Sequence, residues 1–318
     1  MNPFRSVLRC LLPALLCSGA LAQALADCPP TAQAPTNEQV QAGLRNALDH
    51  GFLWRISKGG HSSWLFGTIH VARFEWMFPG PQVGLALAAS DTIALELDPL
   101  NPDIRQRMAQ GMAAQTTTPL PAPLQQRVQR LAQAECVPAQ ALAVFAPELQ
   151  IAALTTLVGR RDGLDPAYGL ENFLSGWGMG QKKLVVSLET PELQLKALRM
   201  GSDAETIEFV ANALDELERG QTGALVRRIA QVWVDGDLDA LTRYESWCDC
   251  LKTAADRSAM ARLLDDRNPD MADSIAAMHT GGRRVFAAVG SLHMVGPQGL
   301  PALMAQRGYR VERIIYAH

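Results

Sequence analysis

The chain of 318 residues lacks the sequence features that mark several protein classes. Its 29 basic and 32 acidic residues nearly balance, and no basic block indicates a nucleic-acid binding surface. Charged residues make up only 19% of the chain, which is typical of a well-packed globular protein rather than a disordered one. Beyond the N-terminus, no apolar run is long enough to span a membrane. We therefore expect a soluble protein with no nucleic-acid partner.

Three common enzyme signatures are also missing. The glycines of "GWGMGQKK" are not followed by the Gly-Lys-Ser/Thr ending of a phosphate-binding loop, and they are more typical of a helix break. Ser291 does not lie in the Gly-x-Ser-x-Gly motif of a nucleophile elbow. No His-Glu-x-x-His motif indicates a zinc-binding helix. The sequence therefore excludes the standard forms of these three sites.

The N-terminal residues have the order of a secretory signal peptide. Arg5 and Arg9 precede an apolar stretch, and a small-x-small cleavage site ends at Ala26. A membrane anchor is the weaker reading, because proline, serine, glycine and glutamine interrupt the apolar run. We expect residues 1–26 to be removed and the mature chain to begin at Asp27. It should be periplasmic or secreted, without stable membrane insertion.

Cysteine is scarce, with six residues of which Cys10 and Cys17 belong to the predicted signal peptide. The remaining four should form two disulfides in an oxidising compartment, and the sequence does not determine their pairing. The four are Cys28, Cys136, Cys248 and Cys250. A bond between Cys248 and Cys250 would close a very tight ring, so we expect each to pair elsewhere. Metal binding by this pair is the alternative, although no second cysteine or histidine pair lies nearby at zinc spacing.

Hydrophobic patterning predicts an α+β fold. A helix capped by Asn37 and ended by Gly51 is followed by two strand-like runs that flank a Gly59-Gly60 hairpin turn. Residues from about 100 to about 270 are predicted to be mostly helical. The predicted later elements are a proline-started helix at "GPQVGLALAAS", strands at Thr92–Leu97 and Leu184–Leu188, and a C-terminal strand, helix and strand.

Two distant stretches share an order of features that indicates an internal repeat. Each has an apolar strand, a Gly-x-x-His motif, a Gly-Pro-Gln turn, a helix and a final strand. The motifs are Gly67–His70 and Gly290–His293. Chance is the competing explanation, since Gly-Pro turns before helices are common. The predicted architecture is one domain, 27–318, with a mixed sheet built from both units and a large helical insertion. Strand ends are where sites form in α/β arrangements, so the two histidines are expected to meet.

Several residues near predicted strand ends are candidates for a site. Neutral imidazole is the commonest metal ligand and a common general base. Glycine before each histidine allows a positive φ or the close approach of a ligand. Glu96 and Glu189 lie in apolar strands, where a carboxylate is costly unless it is paired or liganded, and a buried salt bridge or cap is the alternative for each.

Arg267, before Asn268 at a predicted helix break, could clamp a carboxylate or a substrate carbonyl. A solvent-exposed arginine beside an Asn turn is the alternative. The other four histidines lie by turns or at the terminus and are expected on the surface. They are His50, His61, His279 and His318.

Taken together, the motifs resemble those of TraB/GumN proteins, relatives of the Tiki proteases. The matching pieces occur in family order over nearly the whole mature chain. They are "LFGTIHVA", "IALELD", "LVVSLETPELQL", "DRNPDMADSI" and "AAVGSLHMVGPQGLPALMAQRGYRVERI". The resemblance implies an α+β fold with a helical insertion, and a divalent-metal hydrolase site built from both histidines and a glutamate that matches Glu96. "GSLH" departs from the family's usual "GAGH" and places the Ser291 hydroxyl near His293.

The expected function is that of an exported metal-dependent hydrolase that acts on peptides or other small extracytoplasmic substrates. His70, Glu96 and His293 would bind a divalent ion, which could be Mn, Co, Zn or Fe. Glu189 would be a further ligand or a base, and Arg267 would stabilise an oxyanion. One alternative is a metal-free hydrolase that uses histidine and glutamate. Another is a non-catalytic periplasmic binding protein linked to polysaccharide export.

Overall fold

A six-stranded mixed sheet forms the centre of the protein. The computed structural model describes residues 28–113 and 119–316. The strands lie in the order β4-β3-β5-β2-β1-β6. Their bounds are Phe52–Lys58 (β1), His61–Thr68 (β2), Thr92–Leu95 (β3), Leu184–Ser187 (β4), Val285–Gly290 (β5) and Arg310–Ile314 (β6). Together with the many helices, this sheet confirms the predicted α+β class.

Four neighbouring strands of the sheet, β4, β3, β5 and β2, run parallel to one another. Thr68 at the end of β2 pairs with Gly290 at the end of β5, and Leu95 at the end of β3 pairs with Ser187 at the end of β4. Their carboxyl ends therefore meet at one edge of the sheet. β1 is antiparallel to β2, and the predicted hairpin turn is present with positive φ at Gly59 and Gly60.

Helices flank the sheet and fill most of the chain between β3 and β5. Those before and after this region are α1 (Asn37–Asn46), α2 (Pro81–Ala89) and α14 (Leu300–Gln306). Between the two strands lie α3 (Pro102–Ala113), α4 (Ala122–Ala134), α5 (Ala139–Ala143), α6 (Pro147–Leu157), α7 (Leu170–Gly180), α8 (Pro191–Ala197), α9 (Asp203–Glu218), α10 (Gln221–Val234), α11 (Leu238–Thr242), α12 (Ala254–Leu263) and α13 (Asn268–Thr280).

The first helix differs from its prediction at both ends. The Thr36 hydroxyl accepts a hydrogen bond from the Gln39 N–H, and the Gln39 side chain accepts one from the Thr36 N–H, so Thr36 rather than Asn37 is the cap. The helix ends at Asn46, ahead of Gly51. Gly51 has φ 74° and packs so closely on Trp233 that a Cβ there would lie 2.6 Å from the indole nitrogen. It therefore belongs to a tight turn before β1 rather than to a helix end.

Two main groups of buried apolar side chains stabilise the fold. The larger one surrounds the sheet, with β-strand residues such as Ile56, Leu65 and Phe286 fully buried against α2, α7, α10, α13 and α14. The second lies among α4, α5, α6 and α9 and includes Val128, Ile151 and Leu214. The predicted helical insertion thus has buried contacts of its own, while β4 from within it joins the sheet.

The two units of the predicted repeat connect to the sheet differently. In the first, β2, α2 and β3 follow in order, and β3 lies parallel to β5. In the second, β5, α14 and β6 follow in order, and β6 pairs with the antiparallel strand β1. The order of elements matches the prediction, while descent from one repeated unit stays a prediction.

All four cysteines that follow the predicted signal peptide are bonded, as predicted. Cys28 pairs with Cys136, and Cys248 pairs with Cys250. The expectation that Cys248 and Cys250 pair elsewhere is wrong. Asp249 between them has φ 52°, and the turn brings their Cα atoms to 5.0 Å. The left-handed conformation of Asp249, which aspartate tolerates better than most residues, thus allows the tight ring to close.

The expectation of surface histidines is wrong for His279, which is 2% exposed. His50 and His61 are partly buried, and His318 lies outside the described residues. The predicted signal peptide, residues 1–26, lies outside them as well. In the part of the chain that the structure describes, no helix is both long and apolar enough to cross a bilayer.

Candidate functional site

The five candidate residues lie together at the carboxyl edge of the parallel strands. His70 follows β2, Glu96 follows β3, Glu189 follows β4, and His293 lies in a short 3-10 turn, Ser291–Met294, after β5. Arg267 precedes α13 and extends its guanidinium between the two glutamates. Each of the four parallel strands therefore delivers one of these side chains to the same place.

Gly290 marks the point on which three of these side chains converge. A Cβ placed on Gly290 would lie 3.3 Å from Glu96 Oε1, 3.4 Å from His70 Nε2 and 3.7 Å from His293 Cδ2. Its φ of −51° and ψ of 140° are open to any residue. Neither Gly290 nor Gly67 uses the positive φ that was considered for them. Gly290 is thus needed for space at the site rather than for backbone conformation.

The His293 ring is buried with a defined tautomer. Its Nδ1 lies 2.6 Å from Asn268 Oδ1, and the Asn268 amide nitrogen donates to the Gln298 carbonyl at 2.8 Å. Because a carbonyl only accepts, the amide orientation is fixed and Nδ1 must carry the hydrogen. Burial lowers the pKa of His293 to about 4, so the ring is neutral at neutral pH. Its Nε2 therefore presents a lone pair, 3.9 Å from Glu96 Oε1.

The His70 ring has a matching arrangement on the open side of the site. Its Nδ1 lies 3.1 Å from Glu171 Oε1, and the same oxygen accepts a hydrogen bond from the Thr68 hydroxyl at 2.7 Å. The Glu171 carboxylate raises the pKa of His70, although 61% of the side chain is exposed to water. Since Nδ1–H donates to the carboxylate, Nε2 faces Gly290. Both histidines thus have a partner at Nδ1 and turn Nε2 toward the shared point.

Glu96 is buried and ionised, and it accepts hydrogen bonds from three donors. Its Oε1 accepts the Gly290 N–H at 2.7 Å, and its Oε2 accepts from Arg267 at 2.7 Å and from Gln194 at 3.1 Å. Burial alone would raise the pKa of Glu96. Interactions with His293, His70 and Arg267, together with the Gly290 N–H, outweigh burial and lower it to about 2.

Arg267 is committed to the two glutamates. Its Nε donates to Glu189 Oε1 at 2.8 Å, and its NH2 group donates to Glu189 Oε2 and Glu96 Oε2. Its NH1 group donates to the Leu263 carbonyl at 2.7 Å and lies 3.5 Å from His293 Nε2. Both oxygens of Glu189 therefore lie in the arginine fork. This geometry favours positioning roles for Glu189 and Arg267 over the base and oxyanion roles expected from the sequence.

A family model matches residues 52–313, from the first residue of β1 into β6. The chain belongs to the TraB/PrgY/gumN family. The match covers every strand of the sheet and all five candidate residues. Comparison with curated proteins and with solved structures gave no match.

The donors of this TraB/PrgY/gumN protein fit a divalent transition-metal ion in their chemistry. A carboxylate oxygen, His70 Nε2 and the His293 ring lie around the Gly290 point, and each histidine has the Nδ1 partner that is typical of metal-binding histidines. Because Glu171 raises the pKa of His70 to about 9, His70 would release a proton when it binds an ion. In the described ranges, no three or more His, Cys, Asp or Glu side chains are close enough to form a complete cluster. The candidate ligands are thus brought together, while binding of an ion stays a prediction.

Three residues of this TraB/PrgY/gumN site were missed or misjudged from the sequence. Glu171 comes from α7 and lies in no recognisable motif, and Gln194 comes from α8, where "LVVSLETPELQL" contains it without marking it as a site residue. Asn268 was considered only as a turn residue beside Arg267. Asn268 directly precedes a proline at the start of α13, and this order is the sequence signal for a fixed helix start.

Proposed function

We propose that this TraB/PrgY/gumN protein is an exported metal-dependent hydrolase that cleaves peptides, with His70, Glu96 and His293 as metal ligands. The observation that carries the proposal is the convergence of His70 Nε2, a Glu96 oxygen and the His293 ring on Gly290, with His293 Nε2 3.9 Å from Glu96 Oε1. Two disulfides agree with an oxidising compartment. The metal is one of Mn, Co, Zn or Fe, since imidazole with carboxylate suits each of them.

The protein's own groups would prepare this site in three ways. Asn268 and Glu171 fix the tautomers and directions of the two rings. Arg267 donates to Glu96 and helps to keep it ionised, while Glu189 holds the guanidinium in position. The exposed side of His70 leaves one face open to a substrate. A bound divalent ion would lower the pKa of a coordinated water and polarise a peptide carbonyl.

A metal-free hydrolase is the second candidate, and one observation favours it. Burial lowers the pKa of His293 to about 4 while Glu171 raises that of His70. Two titratable groups whose environments separate their pKa values in this way can act as a base and an acid. In this version His293 would accept a proton from water and His70 would protonate the leaving group.

Elemental analysis of untagged protein, purified without chelators, separates these candidates. We expect about one divalent transition-metal ion per chain in the wild type and less than about a tenth of that in His70→Ala and in His293→Ala. His61→Ala is the matched control, because His61 lies at the opposite end of the same strand, β2. It should retain the metal content of the wild type.

Activity is measured on the same preparations with a mixture of peptides analysed by mass spectrometry. Cleavage that disappears on chelation and returns with added metal supports the proposal. Cleavage by metal-free protein that depends on both histidines would contradict the metal-dependent proposal and support the metal-free hydrolase instead. A protein with neither metal nor cleavage would contradict both and return attention to a binding function.

A further inference from the structure

The Cys248–Cys250 disulfide differs from the other disulfide in how much the fold gains from it. Cys28 and Cys136 are 108 positions apart, whereas Cys248 and Cys250 are 2 apart. In the chain-entropy account, the stabilisation from a disulfide increases with the length of the loop that it closes. A ring of this size restricts the unfolded chain very little. A disulfide that stabilises the fold little is reduced more readily by thiols than one on which the fold depends.

The two sulfurs lie in different environments. Cys248 is 8% exposed, and its N–H donates to the Tyr244 carbonyl at 2.8 Å. The neighbouring Trp247 indole donates to the Ala240 carbonyl at 2.8 Å, which fixes this side of the ring. Cys250 is more exposed and lies beside the exposed Asp249. A thiol from solution therefore reaches the bond from the Cys250 side.

The backbone also prepares Cys248 as the leaving group. The Cys250 N–H donates to Cys248 Sγ at 3.2 Å. A hydrogen bond to sulfur stabilises a thiolate, and a stabilised thiolate leaves faster in thiol–disulfide exchange. The ammonium of Lys252 lies 3.0 Å from the Asp249 carboxylate and offsets its negative charge next to the sulfurs. An approaching thiolate is thus repelled less.

We infer that Cys248–Cys250 is a thiol–disulfide exchange site that oxidises thiols, either a cysteine pair of another protein or a small-molecule thiol. A thiolate attacks Cys250 Sγ, a mixed disulfide forms, and the bond to Cys248 breaks with the electron pair on Cys248. A second thiolate then attacks the incoming sulfur and releases Cys250. Two thiols become one disulfide, and the two electrons and two protons that they lose convert Cys248 and Cys250 to thiols. This activity is independent of the function proposed for the strand-edge site.

The first test uses the folded wild-type protein, in which Cys28–Cys136 is the internal control. The protein is equilibrated in buffers of reduced and oxidised dithiothreitol, quenched with acid and alkylated, and each disulfide is quantified by peptide mass spectrometry. Cys248–Cys250 should be half reduced at a reduced-to-oxidised ratio at least about tenfold lower than Cys28–Cys136. Equal midpoints, or the reverse order, would overturn the inference.

Two further arms identify the source of the thiols. The oxidised protein is mixed with a synthetic peptide that carries two cysteines, or with reduced glutathione. Oxidation of about one peptide per chain, with loss of Cys248–Cys250, supports a protein cysteine pair as the reductant. Reduction by glutathione alone supports a small thiol. If neither reagent reduces this bond in the folded protein, the site does not exchange and the inference fails.

Single variants test which of the two sulfurs a reagent in solution can reach. Cys248→Ser retains Cys250, which should form a mixed disulfide with oxidised glutathione about tenfold faster than the buried Cys248 retained in Cys250→Ser. Circular dichroism verifies that both variants are folded. Equal or reversed rates would overturn the assignment of Cys250 as the accessible sulfur.

Discussion

At the scale of single residues, Arg267 forms ion pairs with two buried carboxylates. It forms a fork with Glu189 and reaches Glu96 with the same guanidinium. The side chains of these glutamates are 3% and 6% exposed. Removal of one partner of a buried ion pair costs about 3–5 kcal/mol because the other charge is left without compensation. We expect Arg267→Met to lower the free energy of unfolding by that amount, measured by urea denaturation.

A surface pair gives the matched control for this prediction. Arg55 pairs with Glu312, but 48% of the arginine side chain is exposed, so Arg55→Met should cost no more than about 1 kcal/mol. Adding Glu189→Gln to Arg267→Met should recover part of the lost stability, since it removes one unpaired charge. Equal costs for Arg267→Met and Arg55→Met would contradict the role assigned to Arg267.

Gly290 allows the proposed metal site to be blocked without removing a ligand. Alanine fits the backbone there, but its methyl group would contact Glu96 Oε1 and the His70 ring at 3.3 and 3.4 Å. We expect Gly290→Ala to remain folded and to lose most of its bound metal, measured by elemental analysis and by thermal denaturation. Gly84→Ala is the control, because a Cβ on Gly84 meets no atom within 4 Å. Full metal content in Gly290→Ala would place the ion elsewhere.

The partner of His70 provides a finer test of the same proposal. Glu171→Gln keeps an oxygen that can accept from His70 Nδ1 and from the Thr68 hydroxyl, but it removes the negative charge. Loss of such a partner typically weakens metal binding about 10–100-fold. Titration calorimetry of metal into the depleted protein should show weaker binding with an unchanged stoichiometry. Unchanged affinity would mean that Glu171 has only a structural role.

Which site residues could be predicted depended on whether their signal was local. His70 and His293 could be predicted because each follows a strand and a glycine within four positions. Glu96 could be predicted because an acidic residue in an apolar strand needs a partner. Glu171 and Gln194 could not, because they reach the site only through the packing of α7 and α8 on the sheet. No pattern within either helix distinguishes them from ordinary polar residues.

At the scale of elements, α13 connects the two ends of the sheet. It begins with Asn268 at the strand-end site and ends near His279, which contacts the β1–β2 hairpin. His279 Nε2 donates to the Lys58 carbonyl at 2.9 Å, so Nδ1 is the acceptor from the Ser63 hydroxyl at 2.8 Å. Ser63 in turn accepts the Val285 N–H at 2.9 Å. Every group in this chain of hydrogen bonds is satisfied only while His279 is neutral.

This arrangement predicts a loss of stability in mild acid. Burial lowers the pKa of His279 below its usual value of about 6.5, so the unfolded chain takes up a proton before the folded one does. Above pH 6.5 the group has no effect, and stability falls as the pH decreases from there toward the folded pKa. One such group contributes a slope of at most about 1.4 kcal/mol per pH unit. Urea denaturation between about pH 7.5 and 5 measures this slope.

His279→Gln isolates the contribution of His279 from those of other titrating groups. Glutamine can donate to the Lys58 carbonyl and does not titrate, while the His61 ring that stacks on His279 at 3.8 Å is still present. The free energy of unfolding should therefore depend less steeply on pH in the variant than in the wild type. Parallel slopes in the two proteins would show that His279 is not the titrating group.

The order of elements was easier to predict than their arrangement. Alternating apolar residues and the Gly59-Gly60 turn are local signals, and they predict the β1–β2 hairpin correctly. The position of β5 between β2 and β3 depends on pairs such as Trp64 with Phe286 and Thr92 with Val285, which are 222 and 193 positions apart. The prediction ends α1 at Gly51 because glycine commonly ends helices, but the helix ends at Asn46. Gly51 instead has φ 74° and lies against Trp233.

At the scale of the whole molecule, the helical region has its own buried group and is covalently joined to the N-terminal segment. Cys28 precedes α1, and Cys136 follows α4, the helix that contributes Val128 and Ala132 to the second buried group. Arg160 strengthens this region, since it reaches both the backbone and the carboxylate of Glu135 from a position with little exposure. The sequence predicted that four cysteines would be bonded. The pairing of Cys28 with Cys136 depends on this packing, which no local pattern encodes.

The two disulfides are therefore expected to differ in how much each contributes to global stability. Replacing Cys28 and Cys136 by serine should lower the free energy of unfolding by about 2–5 kcal/mol, because the unfolded chain loses a restraint across 108 positions. The same double replacement at Cys248 and Cys250 removes only a local ring and should lower the free energy of unfolding by less than about 1 kcal/mol. Urea denaturation of both variants without reductant, beside the oxidised wild type, measures the difference. A larger loss at Cys248 and Cys250 would mean that the tight ring is a structural brace, and it would also count against exchange at that bond, since a disulfide on which the fold depends resists reduction in the folded state.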